Sequence, residues 1–150
     1  MSDCPFCRKE DDASSVTENS LAYAMRDAYP LSKGHSLVIP KRHMKSFFEA
    51  SREEQNALLD LIACVKAELD KTYQPDAYNI GINDGEAAGQ TVLHLHIHVI
   101  PRYTGDTADP RGGVRWIFPD KAKYWVTRKN PPGKRSPWKS QQRPTPLKTH

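Results

Sequence analysis

The sequence predicts an α+β fold built on an antiparallel sheet, and three observations carry that expectation. Runs of strand character lie both before and after a single long helical stripe, and the links among them are of hairpin length. The chain, at 150 residues, has room for one ordinary domain with a core of its own. No internal repeat breaks that reading.

The elements follow in order. Leu21 to Asp27 mixes aromatic and small apolar residues and reads as a strand, closed by 29-YPLSKG-34, where Pro and Gly punctuate a turn. The next strand, 35-HSLVIP-40, ends at Pro40, which cannot continue a central ladder. After the basic stretch 41-KRHMK-45 the period changes. Ser51 with Glu54 three residues on matches a capping box, and Leu58, Ile62, Val65 and Leu69 form one apolar stripe, so the chain predicts a helix ending near Tyr73, ahead of Pro75. Cys64, within this helix, is expected in the core. A strand from Tyr78 to Asn83, the turn-rich loop 84-DGEAAGQ-90 and a strand from Val92 to Ile100 complete the domain.

Composition narrows the setting. No apolar run approaches the ~20 residues that cross a bilayer. The three cysteines do not suggest a secreted disulfide framework, and the expectation is a cytoplasmic protein. Net charge is +4, but residues 128–150 hold seven of the 22 Lys/Arg and none of the 18 Asp/Glu, leaving residues 1–127 at −3. Five of the twelve prolines also lie there. The reading is a domain over 1–127 and a basic, largely disordered tail over 128–150. The folded part is slightly acidic and carries no nucleic-acid reader motif, so nucleic acid is not an expected partner.

The segment 94-HLHIHVIPR-102 carries the chemistry. On a strand, His94, His96 and His98 line one face roughly 6–7 Å apart while Leu95, Ile97 and Val99 enter the core. Such rings sit too far apart to bond one another but suit successive atoms of one ligand. Exposed polar positions would be a bland alternative, and a three-histidine metal centre a sharper one, though no carboxylate ligand adjoins them. Just upstream, Asn83, Asp84, Gly85, Gly89, Gln90 and Thr91 supply backbone N–H groups and neutral donors of the kind that surround a phosphate. Imidazole is a competent nucleophile for phosphorus when one ring nitrogen is kept unprotonated.

The run 90-QTVLHLHIHVIPR-102, with 80-IGINDG-85 before it, 34-GHSLVIPKRH-43 and 4-CPFC-7, resembles the histidine triad (HIT) family over most of residues 3–126, close to its dinucleoside polyphosphate hydrolase branch. The resemblance implies a HIT-like fold of about five antiparallel strands with one long helix and a short one, pairing into a homodimer through the long helix and an adjoining strand. It implies a nucleotide hydrolase in which His96 attacks an α-phosphorus, His98 assists at a phosphate oxygen or the leaving group, His94 sets ring positions and His35 supports them. Asn83, Gly89, Gln90 and Thr91 would bind phosphate, Asp27 the ribose, and Phe6, Tyr23 and Met25 would line a base pocket. Dinucleoside polyphosphates and nucleoside phosphoramidates are the implied substrates. A nucleotidyl transferase, a phosphorylase or a nucleotide-binding module without turnover are the alternatives.

Cys4 and Cys7 in isolation fit a redox pair, a metal site or chance, although a thioredoxin-like pair lacks its βαβ context. The resemblance implies a structural zinc held by Cys4, Cys7, His43 and His94, with no open coordination position. The segment 109-DPRGGVRWIFPDKAKYW-125 resembles a C-terminal extension of bacterial members. It leaves two readings open: Arg111, Arg115 and Trp116 contacting substrate, or a surface segment anchored by Trp116 and Phe118.

Overall fold

The structure is a computed structural model that describes residues 3–7 and 15–127. Five strands, β1 (Ser15–Glu18), β2 (Ala22–Arg26), β3 (Ser36–Pro40), β4 (Ala77–Ile82) and β5 (Ile97–Arg102), form one antiparallel sheet in the order β1-β2-β3-β5-β4. β1 was not expected from the sequence. Four residues with half-buried alternation carry a weak signal, and only the pairing with β2 identifies the segment, with a register irregularity between Ser15 and Thr17.

The long helix α1 (Arg52–Tyr73) begins where the sequence puts it. The Ser51 hydroxyl accepts from the Glu54 N–H, and Glu54 accepts from the Ser51 N–H, closing the capping box. Arg42 donates two 2.8 Å bonds to the same carboxylate, holding the Glu54 carboxyl down to about 2. At the other end Gln74 takes a left-handed cap (φ 50°) before Pro75. The buried stripe runs through Leu58, Leu61, Val65 and Leu69, with Ile62 at its half-buried edge. Cys64 is exposed rather than in the core, because it lies one position off that stripe.

Alternation divides the sheet into two faces. Ala22, Ala24, Val38, Ile97 and Val99 pack with the helix stripe, where each fully buried leucine contributes about 2 kcal/mol. On the opposite face Tyr23, Leu37 and Ile39 form a second cluster with Phe6 and Met25. His98 is the register partner of Leu37 on one side and Gly81 on the other, so it belongs to this second face.

β5 starts at Ile97 rather than Val92. Residues 92–96 leave the ladder because the Leu95 N–H bonds the Met44 carbonyl and the His94 ring bonds the Pro40 carbonyl. The strand also runs through Pro101, which is tolerated where β3 no longer pairs with it.

The chain divides into two compact units, Met1–Pro110 and Arg111–His150. The segment expected as the domain's C-terminal extension thus falls in the second unit, whose described part holds a 3-10 turn at Gly113–Ile117 and the short helices α2 (Pro119–Ala122) and α3 (Tyr124–Thr127). There Arg111 stacks 4.4 Å over the Trp125 ring, Arg115 lies 5.1 Å over Tyr124, and the Trp116 indole donates to the Arg111 carbonyl. The tail over 128–150 lies outside the described residues. Among those that are described, no helix is long and apolar enough to cross a membrane.

Candidate functional site

The three alternating histidines are not equivalent, and backbone groups set them apart. The buried His94 ring donates its Nε2–H to the Pro40 carbonyl at 2.8 Å, which leaves the Nδ1 lone pair facing Cys4 Sγ at 3.5 Å and Cys7 Sγ at 3.6 Å. His96 donates in the reverse sense: its Nδ1–H goes to the His94 carbonyl at 2.8 Å, so Nε2 carries the lone pair. Both rings precede the regular strand, and the even spacing of an extended chain does not apply. The His96 and His98 rings approach to 5.2 Å between centroids, closer than an ideal strand would place them.

His98 takes its state from outside the triad. The Leu31 backbone N–H donates to His35 Nδ1 at 3.0 Å, so His35 is protonated on Nε2. That N–H donates to His98 Nδ1 at 2.9 Å, which leaves the His98 proton on Nε2. The Asp27 carboxylate lies 3.4 Å from His35 and 3.8 Å from His98, and its other oxygen accepts from the Tyr29 N–H. Burial pushes the imidazoles of His35 and His98 below their ordinary range; Asp27 pulls both upward, and the neighbouring rings lower His98 further. His94 is lowered by burial as well, against the pull of its bond to Pro40.

On the far side of His96 stands a second group of donors. Cys7 Sγ lies 3.2 Å from His43 Nδ1, and the ligand atoms of Cys4, Cys7, His43 and His94 all lie within 4.8 Å of one another. Around a tetrahedral zinc with Zn–S of about 2.3 Å and Zn–N of about 2.0 Å, a sulfur–nitrogen edge measures about 3.5 Å. The observed 3.2, 3.5 and 3.6 Å are edges of that size, so the donor set fits the metal in both chemistry and spacing. The Pro40 carbonyl gives His94 the outer partner that metal-bound imidazoles ordinarily have.

The loop before the triad is shaped by Gly85 (φ 98°) and Gly89 (φ 91°), positions that a side chain would strain. Asn83 is half-buried, and Gly89 and Thr91 are exposed. Gln90 departs from the part expected of it as a donor to phosphate: it is buried, its amide oxygen accepts from the Gly85 N–H at 2.8 Å, and its amide nitrogen donates to the Lys45 carbonyl at 2.9 Å. Its bonds shape the loop from beneath. The Asp84 carboxylate ties the same loop to Ser46 and Phe47.

Phe6, Tyr23 and Met25, expected around a base, belong to the apolar cluster on the histidine face. Tyr23 is wholly buried with its hydroxyl on the Phe6 carbonyl, so it forms a wall behind that surface. Sequence reasoning missed the groups that decide the tautomers, the Leu31 N–H and the Pro40 and His94 carbonyls. Backbone atoms leave no residue-type signal to find. Arg111, Arg115 and Trp116 lie in the second unit, bonded and stacked among their own neighbours.

Comparison with known proteins shows which family this chain resembles in sequence and fold. A family model described as the HIT domain matches residues 8–105, a span that takes in the triad and starts just after Cys7. The HIT-like protein MJ0866 of Methanocaldococcus jannaschii is 43% identical over 108 residues, covering 69% of this chain and 81% of its own. The adenylylsulfatase HINT3 of Arabidopsis thaliana is 35% identical over 109 residues, covering 71% of this chain and 55% of its own length. Among solved structures, a zinc-bound histidine triad family protein from Mycobacterium smegmatis superposes with a TM-score of 0.60 at 33% identity, over 65% of this chain and 71% of that one. A hypothetical histidine triad nucleotide-binding protein, ST2152 from Sulfolobus tokodaii, gives 0.59 at 35% identity over 64% of each chain.

Proposed function

The chain belongs to the HIT domain family, and on that footing we propose that it hydrolyses nucleotides at the α-phosphorus through a covalent nucleotidyl-His96 intermediate. One observation carries the reading: His96 Nδ1–H is spent on the His94 carbonyl, which leaves Nε2 unprotonated, while His98 keeps its proton on Nε2 beside it. A nucleophile and a hydrogen-bond donor thus stand 5.2 Å apart between ring centres.

His96 Nε2 forms the P–N bond as the bond from phosphorus to the leaving group breaks. The His98 Nε2–H donates a hydrogen bond to the leaving oxygen or nitrogen as charge develops there, a leaving nitrogen taking its proton from solvent; water then breaks the P–N bond, its own proton passing to solvent, and releases a nucleoside monophosphate. His35 holds His98 in the donating tautomer through the 2.9 Å bond. Asn83, Gly89 and Thr91 bind phosphate on a loop whose shape Gln90 maintains, and Asp27 receives the ribose. Dinucleoside polyphosphates and nucleoside phosphoramidates are the proposed substrates, and the similarity to a protein named as an adenylylsulfatase supports a substrate bearing a nucleotidyl phosphorus.

Cys4, Cys7, His43 and His94 are the residues that would hold a zinc ion, which would brace the N-terminal turn and, with four protein ligands, present no open position to substrate. Two thiols in that role require a reducing compartment, which supports a cytoplasmic setting. A homodimer through α1 and the β4 edge is supported by exposed Leu59, Ile80 and Ile82 on those elements. The HIT domain over 1–127 with an appended tail over 128–150 completes the reading.

The test is mass spectrometry after brief exposure to a nucleotide panel. A nucleotidyl adduct on His96, and turnover abolished in His96→Ala, is the expected result. Unchanged turnover in His96→Ala would end the proposal.

A further inference from the structure

The His96 ring is fixed at one point by its bond to the His94 carbonyl, but a single hydrogen bond leaves rotation about that axis open, since the imidazole torsion has broad minima. Two rings close that freedom. His98 meets His96 edge to face on one contact (5.2 Å, 71°), and Phe6 meets it edge to face on another (5.1 Å, 64°). Both separations lie in the favourable range for aromatic pairs. Phe6 also faces the His94 ring edge to face at 6.2 Å between centroids and 80°, so a single side chain spans the rings of His94 and His96.

Phe6 is itself held on both its backbone and its ring. It sits between Cys4 and Cys7, whose backbones close a turn through the Cys7 N–H and the Cys4 carbonyl. Its carbonyl accepts a 2.7 Å bond from the hydroxyl of Tyr23, a side chain buried in the sheet. Its ring packs with Tyr23, Leu37 and Ile39. A turn that only carried metal ligands would not need its middle residue anchored to β2.

We propose that Phe6 is a positioning residue that holds the His96 ring plane for in-line attack, with the Tyr23 hydroxyl and the Cys4–Cys7 turn as its mount. The proposal rests on the assignment of His96 as nucleophile. It differs from a base-pocket role, because a residue that positions the nucleophile acts on every substrate, with or without a base.

The experiment compares Phe6→Leu and Phe6→Tyr with the unmodified full chain, using a nucleoside 5′-phosphoramidate and an abasic ribose 5′-phosphoramidate. For Phe6→Leu, adduct formation on His96 should slow about tenfold with both substrates, the scale of a modest misplacement of a reacting group. Phe6→Tyr, which keeps the ring, should recover to within about twofold. Tyr23→Phe should give a smaller loss that does not multiply with that of Phe6→Leu, since both act through one contact. A deficit confined to the base-bearing substrate, or none at all, overturns the proposal. An independent readout needs no turnover: the His96 ring nitrogen and carbon resonances should broaden in Phe6→Leu and sharpen again in Phe6→Tyr, and identical spectra in all three would also overturn it. Should no adduct form even in the unmodified chain, the nucleophile assignment falls, while the spectra still report on the Phe6–His96 contact.

Discussion

The two flanks of His96 use the same side chain for opposite purposes. On one flank, His94 turns its lone pair toward two thiols and His43, and its proton toward the Pro40 carbonyl. On the other, His98 accepts from His35 and points its proton into the site. The identity of the residue does not decide which ring nitrogen donates and which accepts; the group that captures one of them does. On the proposed reading the first flank would hold a zinc ion and the turn at Cys4–Cys7, and the second would present a hydrogen-bond donor to the leaving group.

That contrast makes damage to the two flanks separable. The largest expected effect is on the first: Cys7→Ser, or removal of metal by a chelator, should lower the melting temperature by about 10 °C or more and strip metal from the protein. Calorimetry with metal analysis checks this, and a chain that keeps its stability would break the division. On the second flank, His35→Leu should reduce kcat by about tenfold or more while metal content stays at that of the unmodified chain, because His98 loses the donor that fixes its tautomer. Steady-state kinetics beside metal analysis separates the two outcomes.

Acid sharpens the comparison further. Burial holds His35 and His98 below the ordinary 6.5, so above that pH both are neutral whether folded or not. As the pH falls through about 6.5 the unfolded chain takes up protons that the folded chain refuses, and stability drops until the folded-state pKa values are reached. Thermal melts at about pH 7 and pH 5 should show that loss, with a shallower slope in His35→Leu. The smallest expected effect lies remote from both flanks: Ser51→Ala should cost about 1 kcal/mol in urea unfolding, from the lost cap of α1, and leave kcat unchanged.

The parts of the molecule that were legible in advance are those whose cause is local. Ser51 and Glu54 announce the helix start because a capping box is closed within four residues, and Ile97 and Val99 announce buried positions because alternation is a property of the chain itself. The Cys4, Cys7, His43 and His94 cluster came from family resemblance, and the fold brings those donors together. What was misread has distant causes. β1 exists through its pairing with β2, and Gln90 lies beneath its loop because Lys45, far off in sequence, offers a carbonyl, whereas Cys64 faces outward for a local reason, one position off the buried stripe.

By itself, then, the sequence determined that an α+β chain would carry three alternating imidazoles after a glycine loop, since period, caps and turn residues are all written in neighbouring side chains. Only the tertiary structure decided which nitrogen of each ring bears the proton. That choice belongs to Pro40, to the His94 carbonyl and to the Leu31 N–H. Every residue type but proline has such an N–H, and every one has such a carbonyl, so only their placement in space can give one repeated residue three different arrangements of donor and lone pair.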